Sequence, residues 1–306
     1  MALVAGVAAR GRAVENVTPP RSLAMGDSLR AAPEGATALL ENPAGLARER
    51  RFSIEAFYGF RAQDTGSAFD VALADAIGAR LAIGAYYTYV RSGPRFDLAP
   101  LGDVTAARAG HETGLALAVT LSKHASLGVA ARYLDLATTA ADPASPAASA
   151  APLTLDATGA GVGAGFTADV GLSLRFGPVD VGLVGYHLVP VRSVEAPLAA
   201  AAAVAWRARP SLLLALDTVV PFDRYRDPAT GAARPSARVG GGLEWLVAGR
   251  LPLRAGALWD GGRPGAWVSA GLGWLGRSFA IDLAYRQQLL GGLDSTVVAG
   301  ARVFVD

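Results

Sequence analysis

The chain has 306 residues, 52% of them hydrophobic and 18% charged, with a net charge of +2 and no cysteine. So much apolar content excludes intrinsic disorder, and the lack of a thiol excludes a disulfide scaffold, a zinc finger and a cysteine nucleophile. No stretch free of Asp, Glu, Lys and Arg approaches the roughly 20 apolar residues of a spanning helix, so the chain is apolar without a transmembrane helix.

Residues 1–20 open with a short apolar run, Met1 to Ala9, followed by Arg10-Gly11-Arg12-Ala13. They read as a signal-peptide remnant or a flexible N-terminus. The positive n-region is missing, and Arg10 and Arg12 stand where a cleavage region is neutral. Residues 21–50 change character. Pro33-Glu34 can open a short helix and Asn42-Pro43 can end it in a turn. The segment is amphipathic and precedes the first strand. It is the natural candidate for a plug, with Asn42, Pro43, Ala44, Gly45 and Leu46 as its motif.

From residue 51 to the end the apolar period is two. Fourteen runs carry it: 51–62, 66–76, 79–91, 109–121, 125–138, 157–175, 178–189, 197–207, 210–220, 236–247, 250–260, 264–275, 277–288 and 294–305. Turn chemistry separates many of them, as at Gly177-Pro178, Arg209-Pro210 and Gly291-Gly292. The spacing leaves room for a tilted crossing of ~9–11 residues and a turn.

One face of these runs is apolar, with Phe52, Tyr58, Phe60, Tyr87, Tyr89, Tyr133, Trp206, Trp245 and Trp259 near strand ends, as in an aromatic girdle. The other face is Gly, Ala and Ser with isolated charges. Its acids are Glu55, Asp70, Asp169, Asp217, Glu244 and Asp282; its bases are Arg80, Arg132, Arg175, Arg254, Arg286 and Arg302. A soluble sandwich would place a mostly charged face outward. A near-neutral face of small residues suits a barrel lumen, where opposite charges pair. The expected fold is therefore an all-β, transmembrane, antiparallel barrel of about fourteen strands over residues 51–306, surrounded by membrane lipids.

Three connections are too long for tight turns: 92–108, 139–156 and 221–235. They follow the third, fifth and ninth runs, so they share one side, expected to be extracellular. Gly159, Gly161, Gly163 and Gly165 lie on one face of the sixth run, as a thin wall would require.

Several motifs fail their structural requirements. Gly26-Asp27-Ser28-Leu29 spells an esterase motif, but no strand precedes it, and none of His111, His124 and His187 has an Asp three residues before it. Gly271-Leu-Gly273-Trp-Leu-Gly276 matches a dinucleotide pattern but is followed by another strand, not a helix. The histidines are too scattered for a metal site. Basic residues are spread singly apart from Arg48–Arg51, which gives no stripe for nucleic acid. An enzyme and a cofactor are not expected.

The segment RSLAMGDSLRAAPEGATALLENPAGLA, residues 21–47, resembles the N-terminal signature of the FadL-type outer-membrane transporter superfamily. FTADVGLSLRF, GGLEWLVAGRLPLRAGALW and FAIDLAYRQQL resemble its strands, especially those of shorter, PorV-like members. The resemblance implies a fourteen-stranded barrel in the bacterial outer membrane, reached through the periplasm, with the N-terminus tucked into the lumen. It implies passive passage of a hydrophobic small molecule, such as a long-chain fatty acid or hydrocarbon. Related members imply the alternative of a secretion-system component, with a secretion partner, or a structural barrel. This chain is shorter than the transporters, so no ligand-contact residue carries over.

Overall fold

Alternation of apolar and small residues gives strands that can close on themselves, because each buries one face and leaves the other apolar. The computed structural model describes residues 18–62, 65–78, 80–92, 95–97, 103–141, 164–191, 196–222, 225–226, 233–262 and 265–305. Fourteen long antiparallel strands form the wall. They are β1 (Phe52–Arg61), β2 (Gly66–Asp75), β3 (Leu81–Ser92), β4 (Asp103–Ser122), β5 (Ala125–Ala141), β6 (Ala164–Phe176) and β7 (Val179–Tyr186), then β8 (Ala199–Arg209), β9 (Leu212–Pro221), β10 (Arg238–Val247), β11 (Leu251–Asp260), β12 (Gly265–Leu275), β13 (Phe279–Leu290) and β14 (Ser295–Val305).

Each strand pairs with its sequence neighbours, and β1 pairs with β14 from Phe52↔Val305 to Arg61↔Thr296. The sheet closes as a barrel, which leaves no long edge to attract another chain. All fourteen periodic runs correspond to strands. The differences lie at the ends that carry the long connections. There β4 begins at Asp103 and β5 runs to Ala141, paired as far as Thr105↔Ala141, with Arg95–Asp97 added against β4. The β-branched Val104, Thr105, Thr138 and Thr139 of this stretch favour extended backbone. The expected start of the sixth strand at 157 falls among residues outside the described ones, as do Gly159, Gly161 and Gly163.

The turns divide into two sets. At one end lie short connections such as Lys123-His124, Gly177-Pro178 and Pro210-Ser211. Gly177 and Gly249 take positive φ of 61° and 69° there, a conformation that side chains with a Cβ disfavour. The longer connections after β3, β5, β7 and β9 lie at the other end. We call these the short-turn end and the long-loop end.

Outward positions are apolar. Along β4, Leu115, Leu117, Val119 and Leu121 are all exposed, Leu115 at 68%. Trp206, Trp245, Trp274, Phe176 and Phe279 ring the short-turn end, and Tyr58, Phe60, Tyr87, Phe166, Trp259 and Tyr285 lie toward the long-loop end. Among the described residues no helix is long and apolar enough to cross a membrane.

Candidate functional site

Residues 18–48 fold inside the ring of strands. Helix α1 (Pro20–Ala24) has Pro20 in its first turn, where a missing N–H costs nothing. A 3-10 turn at Gly35–Thr37 runs into α2 (Ala38–Glu41), and a second 3-10 turn covers Pro43–Arg48. The expected helix after Pro33-Glu34 is thus present and stops at Asn42. Helix α1 was not anticipated, since five residues carry too little periodicity to read.

The Asn42–Leu46 motif has a mechanical reading. Asn42 caps the second 3-10 turn, its Oδ1 accepting from Ala44 N at 3.1 Å. Its Nδ2 donates to Arg30 O at 2.9 Å and to Leu172 O on β6 at 3.3 Å. Pro43 fixes the first turn residue. Ala44 O accepts from Ser126 Oγ of β5 at 3.0 Å. A Cβ on Gly45 would overlap the Pro33 ring, so only glycine allows that approach. Leu46 packs with Leu39, Ala116, Ala118 and Ala130.

The small residues of the inward face serve the same contact. A side chain on Gly128 would overlap the backbone of Pro43 and Ala44, and one on Gly182 the carbonyl of Arg30. One on Gly240 would overlap the carbonyl of Gly26, and on Gly242 or Gly256 the backbone of Met25 and Gly26. The wall thus lets the inner segment approach backbone to backbone, where a strand of larger residues would hold it away. Gly165, the described member of the four-glycine run, meets Val191 rather than the inner segment.

Charge fixes the orientation. Arg21 Nε and Nη2 each donate to Glu244 at 2.8 Å, and Arg254 Nε reaches the same carboxylate at 2.6 Å before linking to Asp282. Arg30 donates to Asp217 from its backbone N at 3.0 Å and from Nη1 at 3.1 Å. Arg48 Nη2 lies 2.6 Å from Asp180. In the opposite sense, Asp27 of the inner segment meets Arg286 at 2.9 Å, and Glu34 meets Arg302 at 4.0 Å. Glu55 accepts from Ala36 N at 2.7 Å. Arg132 donates to Leu39 O at 3.1 Å while its Nε sits 2.6 Å from Asp169, and Asp70 accepts from Thr88. Paired charges of this kind offset the cost of leaving water.

Ten of the twelve expected lumen residues therefore line the interior. Arg80 and Arg175 do not. Both continue the inward-facing positions of β3 and β6, but at the short-turn end, where the strand has run past the inner segment into solvent. Arg175 is paired there with Asp180 at 3.2 Å. The partners on the inner segment, Arg21, Asp27, Arg30, Glu34 and Arg48, were not anticipated. Their signal was available: opposite charges recur along residues 21–48 in a stretch otherwise rich in Ala and Leu.

Glu41 of α2 is buried beside Ser22, Arg30, Asp217 and Arg21, and its backbone carbonyl accepts from the Tyr186 hydroxyl. Burial pushes its carboxyl up to about 7, against the pull of Ser22 and Arg30. Burial also works against the Arg21 charge, but Glu244 and Glu34 more than compensate and hold it well above its ordinary value. At the long-loop end a small cavity lies between Leu23, Phe57, Gly59, Ala68 and Val298, with Arg61, Arg91 and Arg286 also on its lining. At the short-turn end a polar cavity of ≈240 Å³ opens among Arg21, Glu34, Arg51, Arg207, Glu244 and Arg302. Ser28 of the esterase-like motif is buried and donates to Met25 O at 2.5 Å, and the dinucleotide-like glycines sit in β12 and the turn after it. Among the described residues no group of His, Asp and Glu is arranged for a metal ion.

No protein-family model and no curated protein sequence matches this chain. Solved structures do. The CymD monoaromatic hydrocarbon channel superposes over 95% of this chain and 98% of its own with a TM-score of 0.68 at 16% identity. The Ralstonia pickettii toluene transporter TbuX covers 94% and 98%, TM-score 0.68, also at 16% identity. A Pseudomonas aeruginosa FadL homologue covers 94% and 98%, TM-score 0.67, at 12% identity. The chain has the fold of these FadL-type barrels across its length.

Proposed function

We propose that the chain is an outer-membrane barrel that passively admits hydrophobic small molecules, with residues 21–50 as its hatch. The observation that carries this reading is the pairing of an apolar outer wall, ringed by aromatics near both ends, with an interior filled by a charge-anchored segment. The wall suits lipid. The filled interior suits a gated path for apolar solutes better than an open aqueous pore. The hydrocarbon channel and toluene transporter that share the fold add support from their own activities.

In this mechanism the long-loop end faces outward. An apolar solute partitions from the loops into the cavity beside Leu23 and Phe57. It leaves sideways through the wall or past the hatch as Asn42–Leu46 shifts, which requires the Asn42–Leu172 and Ser126–Ala44 bonds to open. No energy source is needed, because the solute moves down its own gradient.

The test is uptake of a long-chain fatty acid or a monoaromatic hydrocarbon by a host that lacks its own transporter. Expression is expected to confer uptake of at least one. Folded, membrane-inserted protein that confers none would rule out the transport reading.

A further inference from the structure

The sequence scatters its basic residues, but the barrel gathers them. Every connection at the short-turn end carries or adjoins an exposed one: Arg80 before β3, Lys123 before β5, Arg175 and Arg207 at the ends of β6 and β8, Arg250 before β11 and Arg277 before β13. Acids are fewer there, and most are already paired. Asp180 is buried and shared by Arg48, Arg175 and Arg207, Glu49 faces Arg51 at 3.6 Å, and Glu34, Glu244 and Asp282 face Arg21, Arg254 and Arg302, while Asp75 is exposed at the end of β2. The long-loop end is different, because Asp97, Asp103, Asp135, Asp260 and Asp294 alternate with its arginines. A chain with a net charge of only +2 thus has one strongly basic end.

The ring is not placed to serve the surrounding lipid. Arg175 and Arg207 continue the inward-facing positions of their strands, and Arg207 lies beside the buried Leu213 of β9. The outward positions at this level hold Phe176, Trp206, Trp274 and Phe279 instead. Arginines therefore surround the mouth of the barrel, and the ≈240 Å³ cavity in their midst pairs the arginines of its own lining with Glu34, Glu49, Glu244 and Asp282. A mouth of this kind concentrates field lines and steers negatively charged surfaces toward it.

We propose that this mouth docks the acidic surface of a water-soluble protein, which meets the exposed Arg80, Lys123, Arg250 and Arg277 of its turns. The docking needs only that the mouth faces water. It rests on the transport reading solely for what the partner would receive, an apolar solute that water cannot carry away.

The test uses the full chain in nanodiscs of zwitterionic lipid, with a fluorescent twenty-residue polyglutamate peptide as the probe and anisotropy as the readout. Saturable binding with one peptide per barrel is expected, weakening as salt rises. The combined variant R80E, K123E, R250E and R277E changes turn residues outside the inner segment's ion pairs. It is expected to bind roughly tenfold more weakly or worse. The matched R80K, R250K and R277K variant should bind as the parent does. Reversing Arg91 and Arg95 at the other mouth should leave binding unchanged. Heat-modifiable migration on a gel confirms that each variant is folded. Absence of saturable binding, or equal loss on reversing either mouth, would overturn the proposal. So would a ring whose reversal depletes co-purified anionic lipid without affecting peptide binding, since that outcome assigns it to the membrane. Failure of uptake with intact peptide binding would reject transport and leave the docking surface standing.

Discussion

Arg21 of α1 and Glu244 of β10 form a two-pronged ion pair, both N–O distances being 2.8 Å, across 223 residues of sequence. Both side chains are mostly out of water, and Arg254 completes the triad from β11. A fork of this geometry sets an orientation as well as a distance. It ties the beginning of the inner segment to the wall, as Arg48 and Asp180 tie its end.

Removing one member takes away the carboxylate that two buried arginines share. Glu244→Gln leaves Arg21 with Glu34 and Arg254 with Asp282, and is expected to cost ~1–3 kcal/mol in the docking of residues 18–48. Planar-bilayer recordings should show a larger and noisier conductance than the parent, while the gel shift of the folded barrel persists. A conductance identical to the parent's would mean that the pair does not hold the segment.

The glycine contacts make a complementary prediction by sterics alone. Gly240→Val adds three carbons where the carbonyl of Gly26 already lies against the strand. The segment must shift or leave, at a cost of ~1–3 kcal/mol. Limited proteolysis should then cut within residues 18–48, which stay resistant in the parent. Gly177→Ala, at a turn with no neighbour within reach, is a control that strains the backbone without touching the segment.

Acidity acts on Glu41. Its carboxyl is held at about 7 in the folded protein against an ordinary 4.5, so the folded state takes up a proton that the unfolded chain releases. The associated stability is fully present below pH ~4.5 and is lost as pH rises through ~7, up to about 3 kcal/mol in all. The groups facing Glu41 are Ser22, Arg21 and Arg30 of the inner segment and Asp217 and Tyr186 of the wall. Proteolytic sensitivity of residues 18–48 should increase between pH 5 and pH 8. Glu41→Gln, which stays neutral, should flatten that dependence; a dependence of unchanged size in that variant would exclude Glu41 as its source.

The outer wall gives a prediction that ignores the interior. Leu115→Arg puts a charge on the middle of an exposed apolar strand and should cost ~2–4 kcal/mol in a bilayer. The measurement is urea-dependent folding into lipid vesicles. Lys123→Arg, at the turn of the same hairpin, should cost nothing measurable. Equal stability of all three proteins would argue against a lipid-facing wall.

The strands were legible because period-two alternation repeats over ten or more residues in runs such as Leu81–Tyr89 and Phe279–Tyr285. The inward charges were legible for the same reason, with Glu55, Asp217 and Arg302 each falling on the small-residue face. Alternation fixes the face but not the height along the barrel, and so Arg80 and Arg175 were expected inside and stand at the rim. What alternation could not supply is pairing between distant segments. Nothing local in Arg21 or Arg30 points to Glu244 or Asp217. The glycines of the wall read as thinness until Met25 and Gly26 are seen to occupy the space that thinness leaves.

The closeness of Gly128, Gly182, Gly240 and Gly256 to the inner backbone bears on how the molecule is made. These glycines belong to β5, β7, β10 and β11, a stretch of about half the circumference, and each lies against one continuous segment that precedes β1 in the chain. Contacts this close are the ones expected of strands that wrap a segment already in place, with the β1–β14 seam zipped afterwards. On that order of assembly residues 18–48 act as a mandrel, and a chain lacking them is expected to lose the form around which its sheet curls.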